Sequence, residues 1–74
     1  MRPVPEVRPP VISSLLAAMQ YSPHATLDLE FRSGALYRYF TVPRAVAHGL
    51  DVAESKGAYF NRYIKDGFPY RRLV

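Results

Sequence analysis

The clearest pattern in the chain is Thr-Leu-Asp-Leu-Glu-Phe at residues 26–31, an alternation that sets Leu27, Leu29 and Phe31 on one face and Asp28 and Glu30 on the other. Successive side chains of a strand point to opposite sides, so this run predicts a half-buried strand. Arg32-Ser33-Gly34-Ala35 follows, with a glycine able to take positive φ, and Leu36-Tyr37-Arg38-Tyr39-Phe40-Thr41 then supplies aromatic and β-branched residues. The two runs predict a hairpin. Upstream, the leucines, alanines and methionine of residues 15–21 favour helix by propensity, whereas Tyr21-Ser22-Pro23-His24-Ala25 reads as a turn into the alternating strand. The preferred reading is a first strand over 17–21 after a polar bend at Ser13-Ser14, with tertiary pairing overriding propensity.

Thr41-Val42-Pro43 has the form of a helix start, a hydroxyl residue for capping and a proline for the first turn. Val46 and Leu50 then fall at i and i+4, which predicts a helix over 43–52. Gly49 in its interior costs about 1 kcal/mol relative to alanine, so this helix needs tertiary packing. Ser55 is an N-cap for a second helix reaching residue 64 or 65, in which Tyr59, Phe60, Tyr63 and Ile64 form one stripe while Arg62 and Lys65 point away. Gly67 ends it, and Phe68-Pro69-Tyr70-Arg71-Arg72 is an extended basic segment lying beside the sheet or over the helix. The expected architecture is α+β: a three-stranded antiparallel sheet packed on two short helices, with Leu27, Leu29, Phe31, Val46, Leu50, Phe60 and Ile64 as core.

Composition narrows the class. Seventy-four residues make one domain, and a chain this short buries only about 60 % of the surface it exposes when unfolded. Residues 1–11 carry four prolines and read as a flexible tail, leaving 12–74 as the domain. Cysteine is absent, which removes disulfides and thiol chemistry, and His24 and His48 stand in no metal-ligand spacing. No metal or other cofactor is expected. No run is long and apolar enough for a signal peptide or a membrane span, so the expectation is a soluble cytoplasmic protein, monomeric and without membrane contact.

Charge is distributed unevenly. In residues 55–74, Lys56, Arg62, Lys65, Arg71 and Arg72 stand against Asp66 alone, so this segment holds the whole formal net charge of +4, with five of the ten aromatic residues. The rest of the chain is neutral. Cations interleaved with rings suit a polyanion or an acidic protein surface.

These residues resemble the KTSC domain, a small module named for its occurrence at the C-terminus of some lysyl-tRNA synthetases and found alone in small bacterial and phage proteins. The resemblance is carried by Ser13-Ser14, Tyr21, Leu27-x-Leu29-x-Phe31, Gly34, Tyr37-x-Tyr39, Val42-Pro43, Ser55-x-Gly57-x-Tyr59-Phe60-Asn61, Ile64 and Pro69-Tyr70. The chain departs from the pattern at Gln20 and Ser22, where a glycine and an aspartate commonly flank the tyrosine. The resemblance implies non-enzymatic work in gene expression; RNA binding has been suggested for the family, whose members occur in translation-linked and phage settings.

Three candidate sites follow. Lys56, Arg62, Lys65, Tyr70, Arg71 and Arg72 would form a docking surface for RNA or for an acidic protein surface such as a subunit of RNA polymerase. Ser55, Lys56 and Gly57 would hold a phosphate at a helix start, the alternative being that Lys56 pairs with Asp51 or Glu54 or extends into water. Tyr37 and Tyr39 are a stacking platform if they face solvent and core if they face inward, and a domain this small favours core. Ser13 and Ser14 have no histidine nearby in sequence and no nucleophile-elbow context, so no enzyme is expected. The alternative to a docking module is a structural accessory domain with no nucleic-acid contact.

Overall fold

A computed structural model of the chain describes residues 15–74. The expected tail and the Ser13-Ser14 bend lie outside the described residues. Four strands, β1 (Leu16–Tyr21), β2 (Leu27–Phe31), β3 (Leu36–Tyr39) and β4 (Tyr70–Arg72), form one antiparallel sheet in the order β1-β2-β3-β4. Between β3 and β4 run α1 (Arg44–Val52) and α2 (Lys56–Tyr59), the latter continuing into a wider turn over Phe60–Ile64. The α+β class stands with one strand more than the sequence predicts, because the basic segment after Gly67 pairs with β3.

The alternation of β2 survives intact: Leu27 and Leu29 are fully buried while Glu30 is exposed. β1 has no such alternation, and the structure shows why. Its pairing with β2 shifts between Leu16 and Ala18, a bulge that lets Leu16 oppose Phe31 while Met19 opposes Leu29. One extra residue resets the side-chain parity, so Leu16 and Met19 both join the core face. The turn between β2 and β3 rests on Gly34 at φ 98°, with the Gly34 N–H donating to the Phe31 carbonyl at 2.9 Å.

Helix α1 begins later than the sequence suggests. Pro43 occupies the cap position with extended backbone and no side-chain cap. The Thr41 hydroxyl instead donates to the Phe40 carbonyl, and Thr41 itself sits at φ 56°, so it cannot cap the helix. Helix α2 starts as expected, with the Ser55 hydroxyl accepting the Ala58 N–H at 3.2 Å. Beyond Tyr59 the helix widens, and the Lys65 N–H reaches back five residues to the Phe60 carbonyl at 2.9 Å.

The core lies between the sheet and the two helices: Leu16, Leu27, Leu29, Tyr39, Val42, Ala47, Leu50, Phe60 and Ile64. Of the seven core residues predicted, Phe31 and Val46 are only partly buried, and Leu16, Tyr39, Val42 and Ala47 are additions. Tyr63, expected on the buried stripe, is 51 % exposed. Tyr21 joins the hairpin turn to the start of α1 by donating its hydroxyl to the Val42 carbonyl at 2.7 Å. No described helix is long and apolar enough to cross a membrane.

Candidate functional site

Strand β4 contributes no buried residue, although its inward positions continue the core face of β3. The register explains the consequence. Tyr39 pairs with Tyr70 and Tyr37 with Arg72, so these four share the helix-side face, while Arg38 and Arg71 share the outer one. Where the helices stop short of the sheet edge, the helix-side face opens into a cleft of about 580 Å³. Phe31, Tyr37, Tyr39, Phe60 and Tyr70 line it, with Arg32, Lys65, Asp66 and Arg72 among the charged groups. A volume in the hundreds of Å³ with aromatic walls and a set of charged groups at its margin is large enough for a small ligand.

The rings are ordered by one another. Phe31 meets Tyr37 and Phe60 edge-to-face, with centroids 5.4 Å apart in both pairs. Tyr70 lies 5.5 Å from Tyr37 and 5.3 Å from Tyr39, tilted against both. Contacts of this kind fix ring orientation at small cost, since a tyrosine loses only two torsions when held. The Arg72 guanidinium sits 5.8 Å from the centroid of Tyr37, and its Nε donates to the Val74 carbonyl at 3.0 Å. Lys65 and Asp66 follow directly on the widened turn of α2, whose buried Phe60 forms part of the cleft wall.

Tyr39 is the innermost polar side chain of the cleft, 3 % exposed, and its hydroxyl bonds to no described residue. Burial, with smaller contributions from Tyr70, Tyr37 and Asp66, weakens it as an acid and pushes its pKa up to about 12. Tyr37 is half-buried and so serves core and cleft together. Both rings face the helix side, Tyr39 within the core and Tyr37 packed against it while bordering the cleft.

The structure brings Lys65, Tyr70, Arg72, Tyr37 and Tyr39 into one place and leaves three predicted cations elsewhere. Arg62 lies over the Tyr63 ring at 5.5 Å and outside the cleft. Arg71 is on the outer face, opposite Arg38. Lys56 folds back, its ammonium donating to the carbonyls of Asp51 at 2.6 Å and Leu50 at 3.3 Å. Those groups are at the C-terminal end of α1, where unpaired carbonyls and the helix dipole favour a cation. That is the compensation a lysine in the first turn of α2 requires, and it is neither an anion nor the carboxylate of Asp51 or Glu54. With the Ser55 hydroxyl engaged by Ala58 and Gly57 facing Leu15, the predicted anion site at Ser55, Lys56 and Gly57 is not assembled.

Sequence reasoning missed Phe31, Arg32, Phe60 and Asp66 as cleft residues. The signal was available in part: once Phe68-Pro69-Tyr70-Arg71-Arg72 is taken as a strand against β3, period two separates Tyr70 and Arg72 from Arg71 and turns the first pair toward Tyr37 and Tyr39.

The outer face carries a paired charge. Arg38 Nε and Nη2 donate to the two carboxylate oxygens of Asp28 at 2.8 and 2.9 Å. Hydrogen bonding by Arg38 holds the Asp28 carboxyl below its ordinary value against the opposing pull of partial burial. A carboxyl lowered in the folded state adds stability that is present above its unfolded value and is lost as pH falls through the folded one. Asp28→Asn is therefore expected to flatten the acid limb of stability below about pH 4, measured by denaturant unfolding, and to leave the cleft unaltered. An acid limb identical to that of the unsubstituted chain would show the pair to be without effect.

No described cluster of three or more His, Cys, Asp or Glu side chains is placed to hold a metal. Comparison with known proteins agrees with the fold. The chain is 49 % identical over 61 residues to a lysine–tRNA ligase of a Nostoc species, covering 81 % of this chain but 11 % of the ligase. It is 46 % identical over 54 residues to a protein of Stutzerimonas stutzeri, covering 72 % of this chain and 76 % of that one. The crystal structure of a KTSC domain protein from Yersinia pestis superposes with a TM-score of 0.81 at 32 % identity, over 84 % of this chain and 89 % of the other. The KTSC domain profile matches residues 12–68, which span β1, β2, β3 and both helices and stop short of β4, and the chain belongs to that family.

Proposed function

We propose that the protein is a non-enzymatic binding module of gene expression, working in the cytoplasm (the host's, if phage-encoded), and that its cleft docks on single-stranded RNA. The observation that carries this reading is the convergence of Tyr37 and Tyr70 with Lys65 and Arg72 on one accessible surface. Exposed π-faces give area on which bases stack, worth about 1–3 kcal/mol per base, and the cations meet the phosphates on either side. An acidic protein surface such as an RNA polymerase subunit would satisfy the same cations and cover the same rings, Tyr70 being 57 % exposed, so the titration below carries that alternative as a competing outcome. Kinship with part of a lysine–tRNA ligase, a protein named for its action on a tRNA, agrees with an RNA partner.

The test is a titration of the isotope-labelled chain with a single-stranded oligoribonucleotide, followed by amide shifts. Two to three phosphate contacts predict log affinity falling against log salt with a slope of about −1.5 to −2. Lys65→Glu combined with Arg72→Glu should weaken binding by about tenfold or more, while Arg71→Glu, on the opposite face, should change it by less than about threefold. Shifts confined to the outer face, or an affinity indifferent to the double substitution, would sink the cleft as the docking site, and no shift with any oligoribonucleotide would leave an acidic protein partner or a structural accessory role.

A further inference from the structure

The buried hydroxyl of Tyr39 has no use in the fold as described. The Tyr39 side chain is 3 % exposed overall and lines the cleft, and no described group donates to its hydroxyl or accepts from it. A hydroxyl on the wall of an open cleft bonds to water when the cleft is empty, and a ligand that enters can take that water's place. The Asp66 carboxylate is the second anomaly. It stands among the cations of an otherwise anion-seeking cleft, forms no described ion pair, and is near enough to Tyr39 to act on its acidity. Phosphate binding is opposed by such a group, so its presence calls for a ligand that also offers hydrogen-bond donors.

A carboxylate only accepts hydrogen bonds, two at a time when the donors are adjacent. Among the four RNA bases, guanine alone presents two neighbouring donors, N1–H and the N2 amino group, on its Watson–Crick edge. Next to them stands its O6 carbonyl, an acceptor for a hydroxyl. Adenine and cytosine each place a ring acceptor beside their amino group, and uracil flanks its single N–H with two carbonyls; each of these would set oxygen or nitrogen lone pairs against Asp66. We infer that the cleft reads a single guanine, its ring stacked on Tyr37 and Tyr70, its N1–H and N2 amino group donated to Asp66, its O6 accepting from the Tyr39 hydroxyl, and its phosphate on Arg72 and Lys65. This rests on the RNA reading above and sharpens it: a platform of rings alone binds every base, whereas Asp66 and Tyr39 make the site selective.

The experiment uses the whole chain with guanosine, adenosine, cytidine and uridine 5′-monophosphates, and in parallel with single-stranded oligoribonucleotides containing or lacking one guanine. Guanosine monophosphate should bind at least about tenfold more tightly than the other three. Asp66→Asn should bring the four to within about threefold of one another without weakening the other nucleotides, since it removes a negative charge near the phosphate. Tyr39→Phe should lower guanine affinity more than that of the other bases. A merely structural Asp66 would shift all four nucleotides together. Four equal affinities, or a preference that survives Asp66→Asn, overturns the inference; if oligonucleotides still bind through Lys65 and Arg72, the RNA reading stands without it. Guanine-selective mononucleotide binding with no binding of any oligonucleotide would reject the RNA reading and keep the guanine site.

Discussion

Gly49→Ala is expected to destabilise the domain by about 1–3 kcal/mol, although the same change in an ordinary helix interior would stabilise by about 1 kcal/mol. A methyl group built on Gly49 would stand 2.6 Å from Cζ and 2.9 Å from Cε2 of Tyr59, and nearer still to its hydroxyl oxygen. The ring cannot simply swing away, because the Tyr59 hydroxyl donates to the Val46 carbonyl at 3.0 Å and the ring packs on Tyr63 with centroids 4.7 Å apart. Glycine in α1 thus lets α2 lie close to α1 and gives the Val46 carbonyl a second donor. Removing the obstacle should reverse the sign: in a Tyr59→Ala background, Gly49→Ala is expected to stabilise by about 1 kcal/mol, a coupling of about 2–4 kcal/mol between the two positions. Four chains and denaturant unfolding measure it. Stabilisation by Gly49→Ala in the unsubstituted background would mean that Tyr59 does not sit over the helix backbone.

That glycine shows what could be learned from the residues alone. Gly49 reads from the sequence as a local weakness, because propensity concerns one residue and its neighbours along the chain; its reason lies ten residues away in α2. The hairpin of β2 and β3 was legible because period two, a turn glycine and β-branched or aromatic residues all point the same way there. The bulge in β1 was not, since Leu-Ala-Ala-Met has no alternation to mark where parity resets, and only the register against β2 reveals it. β4 was half legible: its basic, ring-rich composition stood out, but a three-residue edge strand has too few positions for a pattern.

The candidate site divides along the same line. Charge counting along the chain found a real excess near the C-terminal end and grouped cations that the fold separates onto different surfaces. Lys56 serves the end of α1, Arg62 covers Tyr63, Arg71 faces outward, and Lys65 and Arg72 alone of the five reach the cleft. Arg32 joins them from the part of the chain that counting set aside as neutral. Sequence position is a poor guide to shared surface when an edge strand alternates, and Tyr70, Arg71 and Arg72 are the plainest case.

The second large effect concerns Tyr39 and runs in opposite directions for stability and for binding. Its hydroxyl, beside Tyr70, Tyr37 and Asp66, has its pKa pushed up to about 12 in the folded chain from an ordinary value of 10.0. The folded state therefore holds this proton more tightly than the unfolded state does. Stability from that difference is fully present below about pH 10 and falls as pH rises from about 10 to about 12, by about 1–2 kcal/mol once solvent screening at the open cleft is discounted. Tyr39→Phe should remove this part of the alkaline decline; subtracting its unfolding curve from that of the unsubstituted chain cancels the lysines and other tyrosines that titrate in the same range. At neutral pH the same substitution deletes a hydroxyl with no described partner, so it should cost no stability and is expected to add a little. A group whose removal leaves the fold no worse yet weakens a ligand is held in place for the ligand, and the packing of Tyr39 between Phe60 and Tyr70 supplies the rigidity for that. Identical alkaline slopes for the two chains would place the hydroxyl in water.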